Sequence, residues 1–148
     1  MADHFQPPDS HFAERVRSSF QQQTVMAAIG ASVRSVAPGA VEIELPYRAD
    51  LCQQDGFLHA GIISTIVDSA CGYAAYTLMP TDARVLSVEF KINFLAPAVG
   101  DRFIARGTVA RAGRTVTVCT GEVVAMSQDS ERVIALMQAT MMAVDPKA

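Results

Sequence analysis

A chain of 148 residues can bury one core but not two, and with half its residues hydrophobic and 18% charged it falls outside the composition of disordered segments. A formal net charge of -3 speaks against a general binder of nucleic acid or of anionic membranes, so no nucleic-acid and no membrane partner is expected. Cys52, Cys71 and Cys119 are odd in number and have neither metal-ligand nor CxxC spacing, and two of them sit inside apolar elements, the pattern of reduced core thiols in a cytoplasmic protein.

Met1 to Pro8 has neither the basic start nor the apolar run of a secretion signal and reads as a proline-stiffened tail. Asp9 or Ser10 can cap a helix that runs to about Gln22, in which Phe12, Val16 and Phe20 recur every four residues. The expected organisation is a tail and surface helix over residues 1–24 and one body over residues 25–148. From Ala31 the period is two: Ser32 to Val36 and Val41 to Leu45 flank Pro38-Gly39, which predicts a hairpin with Val41, Ile43 and Leu45 inward and Pro46 at its end. Tyr47 to Leu58 follows as a long loop whose Gln53, Gln54 and Asp55 stand just before a Gly/His turn. It is either a solvated linker or a loop that carries function.

Gly61 to Met79 reads as a buried helix, because Ile62, Ile63, Ile66, Val67, Ala70, Tyr73, Ala74 and Leu78 recur at three and four residues around most of the circumference. Ser64, Asp68, Ser69 and Gly72 interrupt it too often for a membrane span. Asp68 shares a face with Ser64, Thr65, Cys71, Gly72 and Ala75, small residues that something could approach closely. A buried ionised carboxylate must meet water, a cation, a donor or a substrate, so Asp68 is either tied to a backbone or arginine contact or functional. Past Pro80-Thr81-Asp82, Leu86, Val88, Phe90, Ile92 and Phe94 alternate with Ser87, Glu89, Lys91 and Asn93 to give one apolar and one polar face. Phe103 to Val109, Thr115 to Met126 and Val133 to Val144 follow after short turns, which predicts an antiparallel meander. Nothing else is apolar enough to cover that sheet, so it must curl around the helix. The expected class is α+β, with edge strands open to join a second copy.

The start of the helix adds chemistry. Its first N–H groups have no internal partner and lie at the positive end of the dipole, so the amides near Ala60 and Gly61 can hold a developing oxyanion. His59 stands just before them and is either part of that site or a structural hydrogen-bonder. Gly61 and Asp68 are seven residues apart, roughly 10 Å along the axis, whereas a base and an oxyanion donor must each lie within about 3 Å of the reacting atoms. One chain cannot supply both to one carbonyl. Two copies related by a two-fold axis, with these helices antiparallel, can. His4, His11 and His59 form no cluster with acids or thiols, so no metal is expected.

The spacing Gln53, His59-Ala60-Gly61, Asp68, followed by Ser87-Val88-Glu89-Phe90 and Leu95-Ala96-Pro97-Ala98, resembles the hotdog-fold acyl-CoA thioesterases, most closely the phenylacetate-degradation type. The resemblance spans residues 25–144 and implies a hotdog fold, an antiparallel sheet wrapped around a central helix. It departs from the family at Ala60, where a second glycine is usual. It further implies that Asp68 is general base or nucleophile, that the Ala60 N–H at the helix start is the oxyanion donor, and that Gln53 orients the carbonyl or water from the other chain. His59 would fix the turn, and Ser87 would orient the water or be an outward strand serine. Coenzyme A would enter as part of the substrate, with no separate cofactor, its phosphates met by Arg111, Gly113, Arg114 and Lys91. Phe57, Leu58, Tyr73 and Tyr76 are either acyl-channel lining or core. The implied assembly is a homodimer, with dimers pairing into tetramers. The alternatives of other class are an enoyl-CoA hydratase or dehydratase of the same fold, and a non-catalytic acyl-CoA-binding protein.

Overall fold

The two-residue period from Ser32 onward folds as β1 (Ser32–Ala37) and β2 (Ala40–Pro46), antiparallel about Pro38-Gly39, and Val41, Ile43 and Leu45 are fully buried on the inner face. The computed structural model describes residues 4–128 and 130–147. Two helices precede the hairpin, α1 (Phe12–Gln22) and the short α2 (Thr24–Ile29), of which the sequence pattern indicates only the first. Val16 and Phe20 of α1 join Met26 and Ile29 of α2 in the main core cluster. Arg15 fastens α1 further, donating to the Tyr76 and Met79 carbonyls at 2.9 and 3.0 Å with its guanidinium over the Tyr76 ring.

The apolar helix is α3 (Ala60–Tyr76). It lies against strands of a six-stranded antiparallel sheet that contains β3 (Arg84–Phe94), β4 (Arg102–Ala112), β5 (Val116–Ser127) and β6 (Ser130–Val144). Burying a helix that is greasy nearly all round requires such a wrapper. Of the small residues beside Asp68, Cys71 admits a close approach from the chain's own sheet: Gly107 faces the Ala70 and Cys71 backbone and Gly121 the Val67 and Cys71 side chains. Cys71 and Cys119 are fully buried, and burial pushes the Cys119 thiol up to about 12 and Cys71 higher still, so both stay protonated. No helix is long and apolar enough to cross a membrane, among the described residues.

Two expectations are corrected. The strand order is β1-β2-β4-β5-β6-β3, so the meander holds for β4, β5 and β6 only, and β3 lies on the far side of β6. The 95–101 connection makes this possible by crossing the sheet ends, where Leu95 N–H donates to Ile134, Asp101 N–H to Met126 and Tyr47 N–H to Asp101. It carries the chain from the outer edge to a place beside β2. The apolar residues of β3 also do not share one face. A bulge between Ser87 and Glu89 resets the alternation: Leu86 pairs with exposed Met142, whereas Phe90, Ile92 and Phe94 pair with the buried Ala139, Met137 and Ala135.

Candidate active site

An isolated bridge between Cys52 and Leu58 closes the loop that leads into α3. Inside it, Gln53 Oε1 accepts the Asp55 and Phe57 amides at 2.6 and 3.2 Å, and Gln53 Nε2 reaches Asp55 at 3.4 Å. With its oxygen committed to the loop, the Gln53 carboxamide can meet a ligand only as a donor. Gln53 thus shapes the turn as well as bordering the site.

His59 has extended backbone, φ -61° and ψ 137°, and its Nδ1 accepts the Gly61 N–H at 2.8 Å. In the neutral ring this leaves the proton on Nε2. Of the two amides expected to hold an oxyanion, that of Gly61 is therefore occupied by its own neighbour. The Ala60 N–H has no acceptor among the described residues and is exposed at the helix start. Alanine in place of the usual glycine carries no strain here, because Ala60 is the first helical residue and Gln128 is the non-glycine residue with positive φ among those described. Ala60 and Gln53 border one cleft of about 410 Å³, with Phe57, Leu58, Ile63 and the 94–98 segment around them.

Asp68 lies two turns further on, half-buried, and its Oδ1 accepts the Ser87 hydroxyl at 2.7 Å. Among the described residues the donor it meets is that hydroxyl, not an arginine or a backbone amide. Burial raises the Asp68 pKa above its ordinary value and the Ser87 bond opposes part of the rise. Ser87 faces inward because the Val88 bulge comes after it, which leaves Ser87 in register with buried Met141. A second cleft of about 330 Å³ opens at Asp68, bordered by Tyr73 and Tyr76 of α3, by Arg84, Val85 and Ser87 of β3, by Ser19 of α1 and by Gln23 between α1 and α2. Phe57 and Leu58 thus line one cleft, Tyr73 and Tyr76 the other. Ser19, Gln23 and Arg84 were not visible as site residues. Ser19 and Gln23 flank the Val16/Phe20 stripe with the same spacing of four, a signal that acquires meaning only once α1 is docked.

The two clefts share no residue. Ala60 opens α3 and Asp68 lies at its middle, eight residues and roughly 12 Å further along the axis. Arg111, Gly113 and Arg114 sit exposed at the β4–β5 turn, which the Ala143 N–H to Thr115 bond holds beside the end of β6, the end where Arg84 pairs with Val144. Arg114 borders a further cleft with Asp82, Asp145 and Lys147. Lys91 is not brought to this turn. It lies in mid-β3 opposite Gln138, in the row of Thr120, four residues and roughly 13 Å along β5 from Val116.

An antiparallel sheet curled around one apolar helix, with a free amide at the helix start and a lone acid two turns on, is the hotdog architecture. The model of the family described as "Thioesterase superfamily" matches residues 55–131, from the loop before α3 into the start of β6. A thioesterase family protein from Silicibacter pomeroyi is 54% identical and superposes with a TM-score of 0.89, over 90% of this chain and 98% of that one. A Halobacterium salinarum protein named "Putative esterase VNG_1336C" is 31% identical over 117 residues, 76% of this chain and 77% of its own. The chain belongs to the thioesterase superfamily. In fold it also matches the E. coli PaaI protein from the phenylacetic acid degradation operon, with a TM-score of 0.81 at 21% identity over 91% of this chain and 95% of that one.

Proposed function

We propose that the chain hydrolyses the thioester of an acyl-CoA to free acid and coenzyme A, at a site shared by two subunits. The observation that carries this reading is the separation of the free Ala60 N–H from the Asp68–Ser87 pair along one rigid helix. Two copies docked with their α3 helices antiparallel bring Asp68 of one to Ala60 of its partner. The β3 edge supports such docking: it ends the sheet, and Phe90 and Phe94 on its inner face are 44% and 46% exposed in the single chain. A pairing of dimers has support on the outer face, where exposed Leu86, Met142 and Val116 stand in one cross-strand row.

In this site the thioester oxygen accepts the Ala60 N–H, with a Gln53 N–H beside it, and Asp68 of the other subunit takes a proton from water or attacks the carbonyl carbon itself. Charge that develops on the oxygen is held by the amide and by the positive end of α3. Collapse breaks the C–S bond and coenzyme A leaves as the thiol with the proton that Asp68 took from water; where Asp68 attacks instead, water then hydrolyses the acyl–Asp68 anhydride, giving the free acid, the carboxylate and the proton that the thiolate takes up. Ser87 aims the carboxylate, and His59 holds the turn. Arg111 and Arg114 about Gly113 meet the phosphates, with Lys91 too remote from that turn to join them. Asp68→Asn should lower thiol release from acyl-CoA by about 10²- to 10⁴-fold, and retained turnover would remove the mechanism. Feeding the wild type an enoyl-CoA and a saturated acyl-CoA separates hydration from hydrolysis, since only a thioesterase frees thiol from the second.

A further inference from the structure

We propose that Tyr73 selects the acyl group, and that the group it selects is short and carries a hydrogen-bond acceptor at its far end; this rests on the thioesterase reading above. The Asp68 cleft runs from the carboxylate along one face of α3, past Ser69, Gly72, Tyr73 and Tyr76, and is bordered at the α1–α2 junction by Ser19, Gln22 and Gln23. With the thioester at Asp68, the part of the substrate that follows this face of α3 is either the acyl group or coenzyme A. Coenzyme A must run out to solvent, so the acyl group goes in. At about 330 Å³ the cleft stands near the lower end of the roughly 300–1,000 Å³ range of ligand cavities, which favours a short acyl group over a long one.

The α1 end of the cleft is polar for a specific reason. Gln23 Nε2 donates to the Tyr73 hydroxyl at 2.9 Å, and Ser19 Oγ lies 3.1 Å from the same oxygen. Only one O–H can lie between Ser19 and Tyr73. Whichever way the Gln23 carboxamide is turned, these two contacts use two of the four N–H and O–H hydrogens of the trio, and a donor is left without an acceptor among the described residues. An apolar acyl group packed there leaves that donor unsatisfied, whereas a terminal hydroxyl, carbonyl or carboxylate oxygen satisfies it. Arg84 on the opposite wall adds positive charge for a carboxylate.

The test compares acyl-CoAs of equal length ending in a methyl, a hydroxyl or a carboxylate. The wild type should show kcat/KM about tenfold higher for at least one acceptor-bearing substrate than for the methyl one. Tyr73→Phe, which keeps the ring against Phe20 and Tyr76, should bring that ratio close to one, and Ser19→Ala should lower it as well. A residue that merely staples α1 to α3 would lower the melting temperature and slow all substrates alike. Thioether analogues with the same termini, bound to the Asp68→Asn protein, should repeat the ratio in Kd. A wild-type ratio of one, or a ratio that neither substitution moves, overturns the proposal. Absence of thiol release from every acyl-CoA overturns the thioesterase reading instead, and the thioether affinities then decide this one alone.

Discussion

Burial and the Ser87 hydroxyl pull the Asp68 carboxyl in opposite directions, burial upward and the hydrogen bond downward, with burial the larger effect. A base must be ionised to act, so on the proposed mechanism the acidic limb of the kcat profile should follow this pKa. Ser87→Ala removes the opposing bond, and its acid limb should move to higher pH than that of the wild type; a limb that stays in place would show that Ser87 does not act through Asp68. The same shift has a sign for stability. A carboxyl whose folded pKa is raised contributes fully below its ordinary value, and that contribution is lost as pH rises through the folded pKa. Asp68→Asn, which cannot ionise, should therefore melt at or above the wild type at pH 7, and the gap should close as pH falls toward the ordinary carboxylate range. Circular dichroism melts at several pH values read this directly. The acid stands out in the sequence because an Asp in an apolar helix needs a partner, structural or substrate. Its partner does not, because nothing local to Ser87 says which face of β3 it takes.

Helix and sheet come closest where Gly107 and Gly121 pair across β4 and β5, beneath Ala70 and Cys71. A Cβ on Gly107 would run into the Ala70 carbonyl and the Cys71 amide, backbone atoms that cannot rotate aside. Gly107→Ala should lift α3 from the sheet and cost about 1–3 kcal/mol, seen as a lower urea midpoint with unchanged slope. An unmoved midpoint would mean that the approach is not tight. The long elements were readable because the core imposes their period: α3, the hairpin and the three last strands all appear where apolar spacing puts them. What pairing imposes was not readable. The bulge at Val88 answers to β6, the place of β3 beyond β6 answers to the bonds along the 95–101 crossing, and α2 is too short to show a period. The Gln53 loop was legible as polar and adjacent to the turn, but not as a turn-former whose oxygen is spent on Asp55 and Phe57.

A two-fold assembly makes a demand on mixtures that a self-contained subunit does not. Ala60 can be stripped of its N–H cleanly, because proline is well accepted at the first helical position, His59 already has the extended backbone that a residue before proline needs, and the lost N–H bonds to nothing among the described residues. Ala60→Pro should keep the fold and lose about 10²- to 10³-fold in kcat, the cost of one oxyanion donor. Asp68→Asn should be inactive for the other reason. In a mixed dimer, one site receives its amide from the Asp68→Asn chain and its carboxylate from the Ala60→Pro chain, and is whole, while the other site lacks both. Refolding equal amounts together makes about half the dimers mixed, each with one good site of two, so about a quarter of wild-type activity should return. If each subunit supplied both groups to its own carbonyl, no arrangement of these two chains would contain a working site, and the mixture would hydrolyse no faster than its parents.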